Sequence, residues 1–443
     1  MLVIYIDRQT NRLGYTINLL FKEILGVDFM VTTSKETFIA EKGEKFSYSV
    51  NSIYDEIHIT STNLLFETSV NNFEVDCFEK DGVPCLFRTY GKNDSLNFDV
   101  LSAIFYMVSR YEEYLPFMPD KHSRYSAKES IAYRKGFIEK PVVNIWANML
   151  KNVILEKYPE MNFAKKTFSF TNTIDVDMAY YYKGKGLYRS LGGCFRDLLR
   201  RDFHSIGERV KVLLFGKQDP YDCFEFIKEI HTQYKLKTIL FYLFAFRTDF
   251  DKNVSPYNNK FQLLVKDLAD YTNVGIHPSY YVYEQEEKLQ EQLSLLKNLI
   301  HLDINFSRFH YLRYRLPVSY RNLIDNRISD DFSMGYPNCV GFRAGIASSF
   351  NFYDLERDEE TNLRLHPFAF MDVALKNGLH LNKTQSFEKI KALADEVKRV
   401  DGELISIWHN ESLSDYKEWQ GWRNIYKNQI EYISKINNTS KDI

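Results

Sequence analysis

The chain has 443 residues, 44% hydrophobic and 26% charged, which excludes disordered and fibrous classes and exceeds the length at which one hydrophobic core usually stops growing. Its formal net charge of -2 offers no chain-wide attraction for phosphate backbones, so nucleic acid is not an expected partner. Five scattered cysteines, Cys77, Cys85, Cys194, Cys223 and Cys339, form no CxxC pair for zinc or redox work and suit a reducing compartment.

The opening run MLVIYIDRQTNRLGY reads as a first strand, because no basic segment precedes it and Asp7, Arg8 and Arg12 interrupt its apolar stretch. No run reaches the roughly 18 apolar residues of a membrane span, so no transmembrane segment is expected and a cytoplasmic location is. Over residues 1–163, apolar runs such as LVIYI and IHIT alternate with polar turns, and helices are predicted at 98–114 and just after Pro141. This predicts a smaller N-terminal α/β domain of unassigned role. Its RYEEY and DKHSRYS segments carry charge without catalytic geometry and read as surface or interdomain contacts.

From 164 to 443 the pattern becomes strand, helix, strand: KTFSFTNTID, YDCFEFIKEIHTQY, KLKTILFYLFAF, FQLLVKDLADY and NVGIH. Further on, EEKLQEQLSLLKNLI is predicted as a helix, SRFHYL as a strand, and FEKIKALADEVKRV as a helix leading into the strand ELISIWH. Such alternation predicts a parallel sheet, and the number of units favours a (β/α) barrel. A basic stretch at about 183–217 interrupts the repeat and reads as an inserted lid, suited to an anionic group such as a phosphate or to peripheral contact with a membrane surface.

Reactive side chains in parallel α/β folds gather where strands end. Here the ends carry Asp175 and Asp177, His277, His310 and His409. Residues two apart on a strand share a face, so TIDVD sets two carboxylates side by side, a costly pairing unless a cation relieves the repulsion. One Asp with two His is a familiar set for a catalytic zinc with open positions.

The ordered set TIDVD, GIHPS, RFHYLR, DDFS and IWHN resembles the polysaccharide deacetylase family, the NodB-homology carbohydrate esterases of family four, and within it a bacterial branch with an extra N-terminal domain. The resemblance implies a distorted (β/α) barrel preceded by a smaller α/β domain, and a metal-dependent hydrolase that removes an acetyl group from an N-acetylated sugar. It implies Asp175 as the base, Asp177 and His277 as metal ligands and His409 as the general acid. The family's HxxxH motif stands here as HPSYY, with Tyr281 in place of its second histidine, so His310 is the expected third ligand. Arg308, Arg343, Tyr281, Asp331 and Trp408 are expected at the substrate, although Trp408, Trp419 and Trp422 also suit packing of a C-terminal helix. The cofactor is one divalent ion, zinc first, with cobalt or nickel as alternatives. The expected partner is an acetylated sugar or polysaccharide precursor made inside the cell for surface polysaccharide. The missing histidine leaves a degenerate, non-catalytic carbohydrate-binding protein as the alternative.

Overall fold

The computed structural model describes residues 1–438. Its first sheet has four parallel strands, β1 (Leu2–Ile6), β2 (Phe29–Thr32), β3 (Glu44–Ser49) and β4 (Ile57–Thr60), in the order β2-β1-β3-β4. Every residue of β1 is buried, the signature of a parallel strand covered on both faces. An antiparallel hairpin follows, β5 (Cys77–Lys80) with β6 (Val83–Leu86). The helix Val100–Val108 is buried along its whole length and is capped by Asp99, which accepts the Ser102 N–H. The helix Val142–Lys157 starts directly after Pro141, where the missing N–H costs nothing.

A nine-stranded sheet occupies the rest of the chain: β7 (Ser169–Val176), β8 (Lys237–Tyr242), β9 (Asn273–Ile276), β10 (Phe306–Ser307), β11 (Asp330–Asp331), β12 (Phe350–Asp354), β13 (Glu359–Leu365), β14 (Phe370–Met371) and β15 (Glu403–His409). Its order is β12-β13-β11-β10-β9-β8-β7-β15-β14, parallel throughout except for the β12–β13 pair. The pairing therefore runs from β12 to β14 without joining its ends, where a distorted (β/α) barrel was expected. A single run of chain nevertheless spans the gap: within 359–371, β13 pairs with β11 and β14 pairs with β15.

Two local readings are corrected. Of SRFHYL only Ser307 lies in a strand, the two-residue Phe306–Ser307, after which His310–Leu312 turns sharply, with Tyr311 and Leu312 both at positive φ. The hairpin β12–β13 was not expected, because its polar EETNLRL half lacks the apolar run of a buried strand.

Strand parity positions the site. Ile239, Phe241, Ile405 and Ile407 point to one face and join a small core with Phe332 and Phe368. Ile174, Leu240, Leu404 and Trp408 point the other way, into the main core that continues into the N-terminal region. The inner face is tight. A Cβ on Gly275 would meet the Phe241 ring at 2.5 Å, so only glycine fits on β9 there.

Candidate active site

Asp175 sits on the inner face of β7, in register with Phe241 of β8 and His409 of β15. Asp177 lies just past the strand end. His277 follows β9, and its backbone N–H is held by the Tyr242 carbonyl at 2.9 Å. His310 lies on the turn after β10, where two successive non-glycine residues in the left-handed region mark a backbone held by its surroundings.

These elements bring Asp177, His277 and His310 together, with one ligand atom from each lying within 4.8 Å of the others. The His277 Nε2 is 3.1 Å from Asp177 Oδ1, and the His310 Nε2 is 3.3 Å from Asp177 Oδ2. Four ligands around a zinc ion at about 2.0–2.1 Å stand about 3.3 Å apart, so the cluster has the spacing of a coordination shell. The outer nitrogens fix the tautomers. His277 Nδ1 bonds the Arg308 carbonyl and His310 Nδ1 bonds Asp251 at 2.8 Å; both partners only accept, so each Nδ1 keeps a proton and Nε2 is the nitrogen turned toward the ion position. Burial would raise the Asp177 carboxyl, but His310 and His277 outweigh it and hold it well below the ordinary carboxylate range. Burial likewise would lower His310, yet Asp177 and Asp251 carry it up to about 9 without an ion. The buried Asp177 Oδ1 has no hydrogen-bond partner, as expected of an atom reserved for a cation.

Two further groups flank the cluster. Asp175 gives one oxygen to Arg308 at 2.8 Å, while its other oxygen stands 3.8 Å from His277 Nε2. His409 reaches Asp177 Oδ2 at 3.8 Å through Nε2, and its Nδ1 bonds Asp372 at 2.8 Å. Burial would lower the His409 imidazole, but Asp372, and then Asp177 and Asp175, hold it well above its ordinary value.

The cluster forms the floor of a cleft of about 590 Å³, a volume suited to a small ligand. Asp175, Asp177, His277, His310 and His409 all line it. So do the aromatic side chains of Phe250, Tyr311, Tyr221 and Trp419.

The residues expected at the substrate lie elsewhere. Arg308 is fully buried and spends its guanidinium on Asp175, Thr173 and the Phe332 carbonyl, so it holds the Asp175 carboxylate in place. Arg343 is clamped by Glu113 and the Gly335 carbonyl, joining the N-terminal region to the loop after β11. Asp331 accepts hydrogen bonds from Ser307 and Ser333 in the core, and burial raises its carboxyl. Tyr281 packs on Tyr280 and Phe250, with Lys288 over its ring. Trp408 faces the main core and donates to Gln429 at 2.8 Å; it cannot share a face with its neighbour His409. The basic stretch is not a lid over the cleft, since none of residues 183–217 lines it.

Sequence reasoning missed four participants. Asp251 and Asp372 orient His310 and His409 from loops that also follow strands, so the strand-end rule applies to them equally. Glu411, two residues after His409, lines the cleft, and burial together with the Asp177 charge pushes its carboxyl up to about 8. The DKHSRYS segment supplies Asp120, Lys121, His122 and Arg124 to the cleft; His122 meets Tyr280 Oη at 3.0 Å.

Residues 2–159 match a family of unknown function, DUF7033. No curated protein matches the chain. Among solved structures it is similar to a Mycobacterium smegmatis protein assigned as a polysaccharide deacetylase, at 10% identity and a TM-score of 0.40, covering 63% of this chain and 92% of that one. It is also similar to a polysaccharide deacetylase from Bacillus cereus, at 11% identity and a TM-score of 0.29, covering 62% of this chain and 89% of that one. A pseudoenzyme of the CE4 family from Bacillus anthracis is similar at 10% identity and a TM-score of 0.31, over 63% of this chain and 61% of that one.

Proposed function

We propose that the chain is a divalent-metal-dependent hydrolase that removes the acetyl group of an N-acetylated sugar, working from a distorted barrel whose gap the 359–371 segment spans. The observation that carries this reading is the convergence of the Asp177, His277 and His310 donor atoms on one floor, with Asp175 and His409 beside them. Asp177, His277 and His310 would hold the ion, zinc first and cobalt or nickel as alternatives. When bound, the ion supplies a Lewis acid for the acetyl carbonyl and acidifies water.

The protein's own groups divide the proton work. Asp175, steadied by Arg308 through one oxygen, keeps the other free to take a proton from the attacking water. Water oxygen forms the new bond to the acetyl carbon, and the carbon–nitrogen bond then breaks. His409 delivers its Nε2 proton to the departing amine, while Asp372 stabilises the cationic ring and fixes its orientation. Phe250, Tyr311, Tyr221 and Trp419 along the cleft offer a sugar ring aromatic faces to stack on.

The test is metal analysis and acetate release on N-acetyl sugars. Wild type should hold about one ion, lost in Asp177→Ala, His277→Ala and His310→Ala, the number expected of a single catalytic site. Asp175→Asn and His409→Ala should each lower turnover about 10²–10⁴-fold with the ion retained. A wild type that holds the ion and releases no acetate from any such sugar would leave the non-catalytic carbohydrate-binding reading in its place.

A further inference from the structure

The stretch after Tyr182 is a helical hairpin, Gly186–Leu199 and Phe203–Leu214, built inside out. Its interior is charged. Asp197 meets Arg209 at 2.6 Å with both side chains buried, Arg209 lies over the Tyr182 ring, and Glu208 takes Lys217. Its exterior is apolar. Leu187, Leu191, Phe195 and Leu198 recur at helical spacing on one stripe, flanked by Tyr188 and Leu199, and all six are 51–92% exposed. On the second helix and just beyond it, Phe203, Leu214 and Phe215 are 67–78% exposed. Surface helices ordinarily turn such a stripe inward, and an exposed apolar face of this extent marks a contact surface.

Charge identifies the occupant. Residues 183–217 hold nine Lys or Arg against three Asp or Glu, in a chain whose net charge is -2. Asp197 and Glu208 are paired within the hairpin, and Asp202 caps the second helix, so what faces outward beside the apolar stripe is Arg196, Arg200, Arg201 and Lys211. An apolar stripe rimmed by Arg and Lys fits the acyl–headgroup boundary of an anionic bilayer, with side chains below and guanidinium groups at the phosphates. A second copy of the chain would set the same basic rim against itself. The mount is firm: Asp219 accepts the backbone N–H groups of Tyr181, Tyr182 and Lys183, and Tyr182 Oη meets Tyr416 Oη at 2.9 Å.

We infer that this hairpin docks the protein on an anionic membrane surface. The test is co-sedimentation of the full chain with vesicles of phosphatidylcholine alone and of phosphatidylcholine with about one-third phosphatidylglycerol, at low and high salt. Binding to the anionic vesicles only, weakened by salt, is expected. It should fall at least tenfold in Leu191→Ser/Phe195→Ser/Leu198→Ser and in Arg200→Glu/Arg201→Glu, all exposed positions whose folding circular dichroism checks. A Phe195→Trp chain should show a blue-shifted emission on the anionic vesicles. Absence of binding to either vesicle, or equal binding by wild type and both variants, overturns the inference. So does a wild type that ignores vesicles but dimerises, with the dimer lost in the triple-serine variant. None of these readouts depends on catalysis.

Discussion

Replacing Glu113 by glutamine tests whether Arg343 is a strut or a substrate ligand. Glu113 takes Arg110 Nε at 2.8 Å and Arg343 at 2.8 and 2.6 Å, with all three side chains buried. Gln keeps the shape but leaves two buried guanidinium groups, for which the nearest remaining carboxylate is Glu112, 4.0 Å from Arg110. Breaking a buried pair from one side costs about 3–5 kcal/mol, so Glu113→Gln should fall in that range. Arg343→Met leaves Glu113 with Arg110 and should cost about 3 kcal/mol, from two charge-assisted bonds. The double variant should cost less than the two combined, with a coupling of about 1.5 kcal/mol or more. Urea unfolding of the four chains reads these values, and KM on an N-acetyl sugar should stay unchanged in Arg343→Met. An unchanged urea midpoint with a tenfold higher KM would refute the strut and return Arg343 to the substrate.

Acid adds a second arm to the same test. Burial alone would raise the Glu113 carboxyl, but Arg343 and Arg110 outweigh it and hold it below the ordinary value. A carboxyl lowered on folding contributes fully above its unfolded pKa of about 4.3 and loses that contribution as pH falls through the folded value, so wild type and Glu113→Gln should converge in acid.

Ion uptake near pH 7 should release a proton from His310, whose ring sits at about 9 without an ion; affinity should climb about tenfold per pH unit toward that value, and calorimetry in buffers of different ionisation enthalpy would show no proton release if the assignment is wrong. Asp251→Asn should weaken ion binding about 10–100-fold by loosening His310; competition with a chromophoric chelator measures it, and unchanged affinity counts against that role. Asp372→Asn should move the alkaline limb of the kcat/KM profile to lower pH, because Asp372 is the largest influence raising His409; an unmoved limb would mean that His409 is not the acid. Trp408→Phe should cost about 1 kcal/mol through the lost Gln429 bond with KM unchanged; a raised KM would place the indole at the sugar.

Much of the site was legible because it follows strand parity and strand ends. TIDVD places Asp175 on the inner face and Asp177 beyond it, and NVGIH and ISIWH deliver their histidines at the same edge. The same parity, applied to Trp408, would have turned it away from the cleft. Arg308 and Arg343 were misjudged because a guanidinium reads alike in sequence whether it meets a ligand or a buried carboxylate. His310 was reached by analogy with a missing histidine; its turn, with Tyr311 and Leu312 at positive φ, has no glycine to announce it. The DKHSRYS segment carries no local signal at all, since its place in the cleft depends on packing across more than a hundred residues of intervening chain, as between Arg124 and the Tyr311 carbonyl.

That last contact changes what a gene fragment beginning at residue 164 would encode. Cutting there severs Asp120, Lys121, His122 and Arg124 from the cleft and removes the partner of Arg343. The excised piece would keep Asp175, Asp177, His277, His310 and His409 and yet have a cleft missing one side of its lining. On the proposed deacetylase reading, the first third of the chain would shape the entrance to the cleft while the rest supplied the chemistry, and exchanging that third would be expected to alter which sugars are accepted.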